Sequence, residues 1–329
     1  MVKHNITAKI VADSNSRGHR ITTFLLTYPR CIHAEVMTHR VFSRNTASSR
    51  AIPFEKMVNI LEENPFIPIA FQKAHKGMQG NIYLEGEEAE EAMDRWIDGK
   101  NSALQCAKDL ANTSVTKQLC NRKIEPYLYH TALVTSTEWD NFLDLRCPKY
   151  QIYAGPEDTK EVLCEGRSWK DLMESNNGLA KDFDTQDTLE RLKHSISGAE
   201  IHIQVLAEAI WDKLKESTPV ALNPGDWHIP FHKDMPFGVS REDQIKIAVA
   251  RCARLSYMNF DGAINHEKDL ELHDILLSSK HMSPFEHCAK AMKPIEYYNN
   301  ARLEMGVYHY GWSNNIRGFI QYRFLVEKR

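Results

Sequence analysis

Several things are scarce or missing in this 329-residue sequence, and each absence closes a class of function. There is no CxxC among the seven scattered cysteines, Cys31, Cys106, Cys120, Cys147, Cys164, Cys252 and Cys288. An odd number without that spacing argues against a disulfide framework and a structural zinc, and fits reduced thiols in a cytoplasm. No apolar run is long enough to span a bilayer. The opening MVKHNITAKIVADSNSRGHR lacks the apolar core of a secretion signal. Charge of either sign is not in excess, because 41 basic and 44 acidic residues leave a net of −3. That balance excludes a chain built to wrap nucleic acid or lie on a membrane, and a local basic cluster is then expected to meet a small anion. GxSxG, GxGxxG and P-loop signatures are missing too. The missing GxGxxG does not exclude flavin, which proteins hold in several unrelated ways. No internal repeat or low-complexity tract is present.

What is present reads as one elaborated domain of α/β (α+β) class over residues 1–329, a twisted sheet with long helices. Residues 6–28 alternate short apolar runs with polar breaks and predict two strands. Cys31-Ile32-His33-Ala34-Glu35-Val36-Met37 turns helical, and Ala51-Ile52-Pro53 forces an extended exit. Residues 54–125 read as mostly helical, broken at Asn64-Pro65 and around Gly77–Gly80. A strand followed by a short helix is expected over 127–146. Residues 147–186 are polar and read as a peripheral insertion. The spacing of Leu189, Leu192, Ile196, Ala199, Ile203, Leu206, Ile210 and Leu214 predicts a long helix capped by Asp187 and Glu190. Residues 217–240 read as a long ordered loop, and 241–329 as a second α/β segment that carries HMSPFEH and a tight turn at Asn314-Asn315.

The densest polar stretch is Thr38-His39-Arg40-Val41-Phe42-Ser43-Arg44-Asn45-Thr46-Ala47-Ser48-Ser49-Arg50. Its guanidinium forks, hydroxyls and backbone N–H groups suit an anion cradle in which Arg40, Ser43, Ser48 and Arg50 hold a phosphate. The plain alternative is a polar surface turn with incidental arginines. Arg122 and Arg146 each border an apolar segment, where a charge needs a partner. That partner is a phosphate, a pyrimidine carbonyl or an ordinary carboxylate. In HMSPFEH, His281 and His287 are six residues apart and Pro284 disfavours a helix, so a ligand-facing loop leading into a helix is expected rather than a metal site. His202 reads as a structural or surface histidine.

The stretch also resembles the signature of the flavin-dependent thymidylate synthases. His39, Arg40, Ser43, Asn45, Ser48 and Arg50 match that signature in spacing. NRKIEPY with Arg122, NFLDLR with Asn141 and Arg146, and HMSPFEH after ARLSY are similar to further blocks of the same family. AEIHIQVLAEAI is a weaker match. The resemblance implies C5 methylation of a pyrimidine deoxynucleotide monophosphate, dUMP to dTMP. FAD would be the cofactor, NADPH and methylenetetrahydrofolate the co-substrates, and the active sites would be shared in a homotetramer. It implies that Ser48, Ser49, Arg50 and Arg122 hold the nucleotide, and that Arg146 faces the pyrimidine carbonyls. His39, Arg40, Asn45, Asn141, His281 and Ser283 would lie along the flavin, with Arg146, His281 and Arg40 nearest the chemistry.

The departures are specific. The first arginine of the family's RHR is Thr38, and a glutamine three residues earlier is Glu35. Thr46 and Ala51 replace an acid and a tyrosine. ARLSY and HMSPFEH follow the RHR block instead of preceding it, so the chain reads as a circular permutation. Residues 147–186 and the PGDWHIPF loop have no counterpart. Glu35 leaves cytosine as well as uracil open as the base, and hydroxymethyl as well as methyl as the group transferred. Thr38 and the changed order leave room for a non-catalytic nucleotide-binding module.

Overall fold

A computed structural model describes residues 4–76, 80, 82–154, 161–175, 185–235, 237–255 and 265–327. The alternating first segment forms the two expected strands, β1 (Thr7–Ser16) and β2 (His19–Pro29), which pair as an antiparallel hairpin. Its turn, Arg17-Gly18, has φ of 53° and 77°. A two-residue hairpin turn needs that pair of positive angles to match the strand twist, and glycine reaches them without strain. A 3-10 turn over Arg30–Ile32 leads into α1 (His33–Met37), and the polar stretch then runs through β3 (Ser43–Thr46). Pro53 stands just ahead of α2 (Phe54–Glu63), where its missing N–H costs no helical bond. The expected break at Asn64-Pro65 follows; of the break at Gly77–Gly80, Gly77, Met78 and Gln79 lie outside the described residues. Next come α3 (Gly86–Asn112), α4 (Lys117–Ile124), β4 (Tyr129–Ser136) and α5 (Asp140–Arg146).

Residues 147–186 are described only in part, at 147–154, 161–175 and 185–186. They form an antiparallel pair, β5 (Tyr150–Ala154) and β6 (Glu161–Gly166), and α6 (Trp169–Glu174). The segment's Cys147, Tyr150, Ile152, Cys164, Trp169 and Leu172 belong to the largest core cluster. The single long helix expected from Asp187 is two helices, α7 (Thr188–Lys193) and α8 (Ile201–Glu216). Asp187 caps the first as expected, accepting from the N–H groups of Leu189 and Glu190. Between the helices, Ser195 leaves helical pairing to bridge Tyr150, and Ile196 is exposed rather than on a buried face. The Glu200 carboxylate then accepts from the N–H groups of His202 and Ile203 and starts α8. A side chain that satisfies orphan N–H groups begins a new helix more cheaply than Gly198 continues the old one. His202 is buried and structural: its ring meets Glu200 on one side and the Ile69 N–H on the other.

The rest of the chain forms β7 (Val220–Ala221), β8 (Trp227–His228), α9 (Arg241–Arg254) and α10 (His266–Ser278). HMSPFEH forms a 3-10 turn over Ser283–Glu286 that enters a strand, β9 (Ala289–Ala291), not the expected helix. After α11 (Pro294–Asn299) come two hairpins, β10 (Ala301–Glu304) with β11 (Val307–Tyr310) and β12 (Trp312–Ser313) with β13 (Ile316–Arg317). Asn314, in the expected tight turn, has φ 55°. β14 (Phe319–Gln321) and α12 (Tyr322–Glu327) close the described chain.

The architecture is mixed α and β, with several small sheets around a larger one. The larger sheet has the order β3-β4-β2-β1-β7 and is antiparallel except for the short β1–β7 pair. One face presents Phe24, Leu26, Tyr28, Ala132 and Val134 to Phe142 and Leu143 of α5 and Ile203, Leu206 and Ile210 of α8. The strand period of two sends the alternate residues to the opposite face. There Leu133 meets Phe231, Cys252 and Leu255. Among the described residues no helix is long and apolar enough to cross a membrane.

That second face also carries a buried polar chain. The opposed Thr23 and Thr135 share a hydrogen bond at 2.7 Å. Thr23 Oγ1 lies 2.8 Å from His228 Nε2, whose Nδ1 is 3.0 Å from Ser14 Oγ. Thr135 Oγ1 lies 2.8 Å from His287 Nδ1. Burial holds the His228 ring down to about 4, against the pull of Asp13, and the His287 ring down to about 3. Both rings are neutral in the fold, whereas in the unfolded chain each takes up a proton near pH 6.5. The unfolded state therefore binds more protons as pH falls, and stability present above pH 6.5 is lost on the way down through 4 and 3. We expect the urea midpoint to hold above neutrality and drop steadily below pH 6.5, less steeply in a His228→Asn variant; a flat midpoint down to about pH 4 would contradict the neutral pair.

Candidate functional site

The polar stretch 38–50 is folded by its own short-range bonds and by clasps from distant segments. Thr38 Oγ1 donates to the Glu35 carbonyl at 2.6 Å, and Arg44 Nη1 donates to the Met37 carbonyl at 2.8 Å, closing the loop between α1 and β3. β3 is an edge strand with β4 on one side. Its free side is met by the 3-10 turn of HMSPFEH. Ser283 Oγ donates to Asn45 Oδ1 at 2.8 Å, and Asn45 Nδ2 donates to the Cys252 carbonyl at 2.9 Å. Ser43 is held the same way, by the amides of Gln321 at 2.7 Å and Asn315 at 2.9 Å.

His39 sits in an aromatic corner. Its ring stacks near Phe42, with centroids 5.6 Å apart, and meets Phe142 edge-on at 4.9 Å. Burial lowers its pKa, and the Arg146 guanidinium lowers it further; an interaction with the Asn141 side chain opposes both. His39, Asn141 and Arg146 therefore lie together although about a hundred residues separate the first from the others. His39 Nε2 and Arg146 Nε are buried, with no hydrogen-bond partner among the described residues. Such groups cost stability when left unsatisfied, and they recur where a ligand is to be met.

A second corner follows β3. Asn121 of α4 is fully buried, and its Nδ2 donates to the carbonyls of Ser49 at 2.6 Å and Ile52 at 3.0 Å. Lys117 Nζ donates to the Ala51 carbonyl, and Arg50 Nε donates to Gln118 Oε1 at 3.2 Å. Gln118 and Arg122 are one helical turn apart on α4 and share a face, so Arg50 and Arg122 border the same corner. Both arginines are exposed, and neither has a carboxylate partner among the described residues.

The structure thus gathers the candidates into two groups. Ser48, Ser49, Arg50 and Arg122 form one. His39, Asn141 and Arg146 form the other, with Asn45 and Ser283 bonded to each other across the free edge of β3. Arg40 and His281 are exposed, with no side-chain partner among the described residues. Ser256 and Tyr257 of ARLSY lie outside the described residues. Of the residues that fix the corners, Asn121 and Gln118 lie in or beside NRKIEPY and Asn315 lies in the tight-turn pair, while Gln321 carries no signal in sequence. Among the described residues no group of three or more His, Cys, Asp or Glu could hold a metal ion. Among the described residues, cavities of about 600, 530 and 320 Å³ are lined by none of the candidates, and Ser49 borders a space of about 30 Å³.

No protein-family model matches the chain, and no curated protein does. Solved structures of a UMP/dUMP methylase, PolB from Streptomyces cacaoi, are similar to part of it. The form bound with 5-Br UMP has 15% identity and a TM-score of 0.41, over 65% of this chain and 90% of that one. The form bound with 5-Br dUMP has 13% identity and a TM-score of 0.41, over 65% and 91%.

The corner at Ser48–Ile52 depends on one amide. Replacing Asn121 by alanine strands two carbonyls, and we expect about 2 kcal/mol lower stability in urea unfolding. A loss within a few tenths of a kcal/mol would mean that α4 does not hold this corner.

Proposed function

We propose that the chain is a flavin- and folate-dependent enzyme that methylates C5 of a pyrimidine deoxynucleotide monophosphate, converting dUMP to dTMP. The observation that carries this reading is the meeting of separated motif blocks. The Ser283–Asn45 hydrogen bond at 2.8 Å spans 238 residues and seats HMSPFEH beside β3, while NFLDLR delivers Asn141 and Arg146 to His39. That placement also supports the circular permutation, since blocks whose order is changed in sequence lie side by side in space.

Fit to a flavin is supported by the donor set. His39 Nε2 and Arg146 Nε are buried and unpartnered among the described residues, and the exposed Arg40, His281 and Ser283 lie in the blocks around them. His39, Arg40, Asn141, His281 and Ser283 would hold FAD. Asn45, whose amide is engaged at both ends, would act by positioning Ser283. The bound flavin, reduced by NADPH, would supply a hydride, and methylenetetrahydrofolate the carbon.

The chain's own residues supply charge and orientation. Arg50 and Arg122 would take the nucleotide phosphate, for which two cations without carboxylate partners are suited. Ser48 and Ser49 would offer hydroxyls and N–H groups beside it. Arg146, half-buried and permanently charged, would face a pyrimidine carbonyl and stabilise negative charge that develops on the ring during C5 attack. His39 stays neutral near pH 7, because burial and Arg146 both oppose its protonation. A second copy would complete the site, as the family resemblance to enzymes with sites shared within a homotetramer implies.

A second reading, transfer to dCMP or hydroxymethyl transfer, is favoured by Glu35, whose Oε2 is buried without a partner among the described residues. A carboxylate accepts from an exocyclic amino group and repels a carbonyl.

The deciding experiment is anaerobic incubation of the FAD-loaded protein with NADPH, methylenetetrahydrofolate and either dUMP or dCMP, followed by product mass spectrometry. We expect a methyl on dUMP and about a hundredfold or greater loss of turnover in Arg146→Ala. In Arg50→Ala and Arg122→Ala we expect KM for the nucleotide to rise about tenfold with kcat less affected. A hydroxymethyl mass, or product from dCMP alone, would establish the second reading. Nucleotide binding without any product would reduce the chain to a binding module.

A further inference from the structure

A cavity of about 320 Å³ opens on the far side of the sheet's β1 edge, away from the candidate site. Its volume falls in the range of small-molecule sites. Its wall includes the apolar side chains of Leu222, Trp227 and Ile229. Three features of the backbone and charge set it apart from an accidental groove.

First, β1 carries a bulge between Ile10 and Ala12 where it borders the cavity. Bulges interrupt pairing and re-aim side chains, and they are common beside ligand sites. Second, Phe231 adopts a left-handed conformation, φ 59° and ψ 17°. For a bulky residue this costs about 1–3 kcal/mol and persists only if other contacts enforce it. Phe231 is buried among Leu133, Cys252 and Leu255, and its N–H donates to the Val11 carbonyl at 3.1 Å. The strained residue turns the chain so that Lys233 reaches the cavity. Third, Lys233 and Arg241 both line the cavity, arriving from a 3-10 turn and from the first turn of α9. Neither is paired with a carboxylate among the described residues; Arg241 meets only the Gln244 amide.

Two carboxylates also line the space, and neither cancels these cations. Asp13 is saturated by Arg20, Thr22 and Ser217. Asp226 is exposed and accepts from the Asn223 N–H at 2.9 Å. Two unpaired cations therefore face one exposed carboxylate across an apolar floor.

We propose that this cavity binds a small organic anion, a carboxylate or phosphate ester on a flat apolar body, with the anion between Lys233 and Arg241 and the body against Trp227, Leu222 and Ile229. The site lies beyond the proposed methylation site and does not depend on that activity.

Phenyl phosphate tests it by isothermal titration, in an Arg50→Ala/Arg122→Ala background so that the proposed nucleotide corner does not contribute. We expect one saturable site per chain, with inorganic phosphate at least about tenfold weaker because it lacks the apolar body. Adding Lys233→Ala and Arg241→Ala should weaken phenyl phosphate by about tenfold or more with an unchanged urea midpoint, since both side chains are exposed. Asp226→Asn should tighten it. Absence of saturable binding, equal affinity for inorganic phosphate, no response to the Lys233/Arg241 pair, or weaker binding in Asp226→Asn would each overturn the proposal. A folate analogue or a nucleotide that competes with phenyl phosphate would identify the source of the anion and support the site.

Discussion

The structure turns on the hydroxyl–imidazole chain Ser14–His228–Thr23–Thr135–His287. Thr23 and Thr135 are central strand residues, fully buried, and their hydroxyls have no water to bond. They bond each other, and through the two histidines they tie β8 and the end of HMSPFEH to the sheet. In a low-dielectric interior such a chain is strong when complete and costly when broken. It also fixes register. A one-residue slip of β2 against β4 would turn Thr23 away from Thr135 and take its hydroxyl from His228 Nε2.

With the C-terminal segment seated there, the edge of β3 acquires its neighbours. Ser283 reaches Asn45, Gln321 and Asn315 reach Ser43, and the polar stretch becomes a fixed ledge rather than a surface loop. The arginines divide accordingly. Arg20, Arg167, Arg254 and Arg323 are each paired with a carboxylate, at 2.6, 2.5, 2.8 and 2.6 Å. Arg40, Arg50, Arg122 and Arg146 have no such partner among the described residues.

Local signals in the sequence were sufficient wherever a segment satisfies its own backbone. β1 and β2 were legible as strands because short apolar runs alternate with polar breaks over residues 6–28. β4 followed by α5, the Asp187 cap and the Asn314 turn were legible for similar local reasons. The donor content of residues 38–50 is likewise a matter of sequence, since the density of forks and hydroxyls does not depend on the fold.

Tertiary structure decided what those segments do with each other. The apolar period from Leu189 to Leu214 promised one helix, but Ser195 pairs with Tyr150 and Glu200 caps a new start, so long-range bonding overrode the period. HMSPFEH became a turn and a strand because β8 and β14 offer ladder partners that local propensity does not encode. The polar 147–186 segment sends six buried apolar side chains into the main core, because composition averages over residues while packing selects among them. Residue types and spacing alone determined which groups are available to bind an anion. Only the fold decided which of them meet, because the contacts that join Asn45 to Ser283 and His39 to Asn141 close long loops whose ends no local signal brings together.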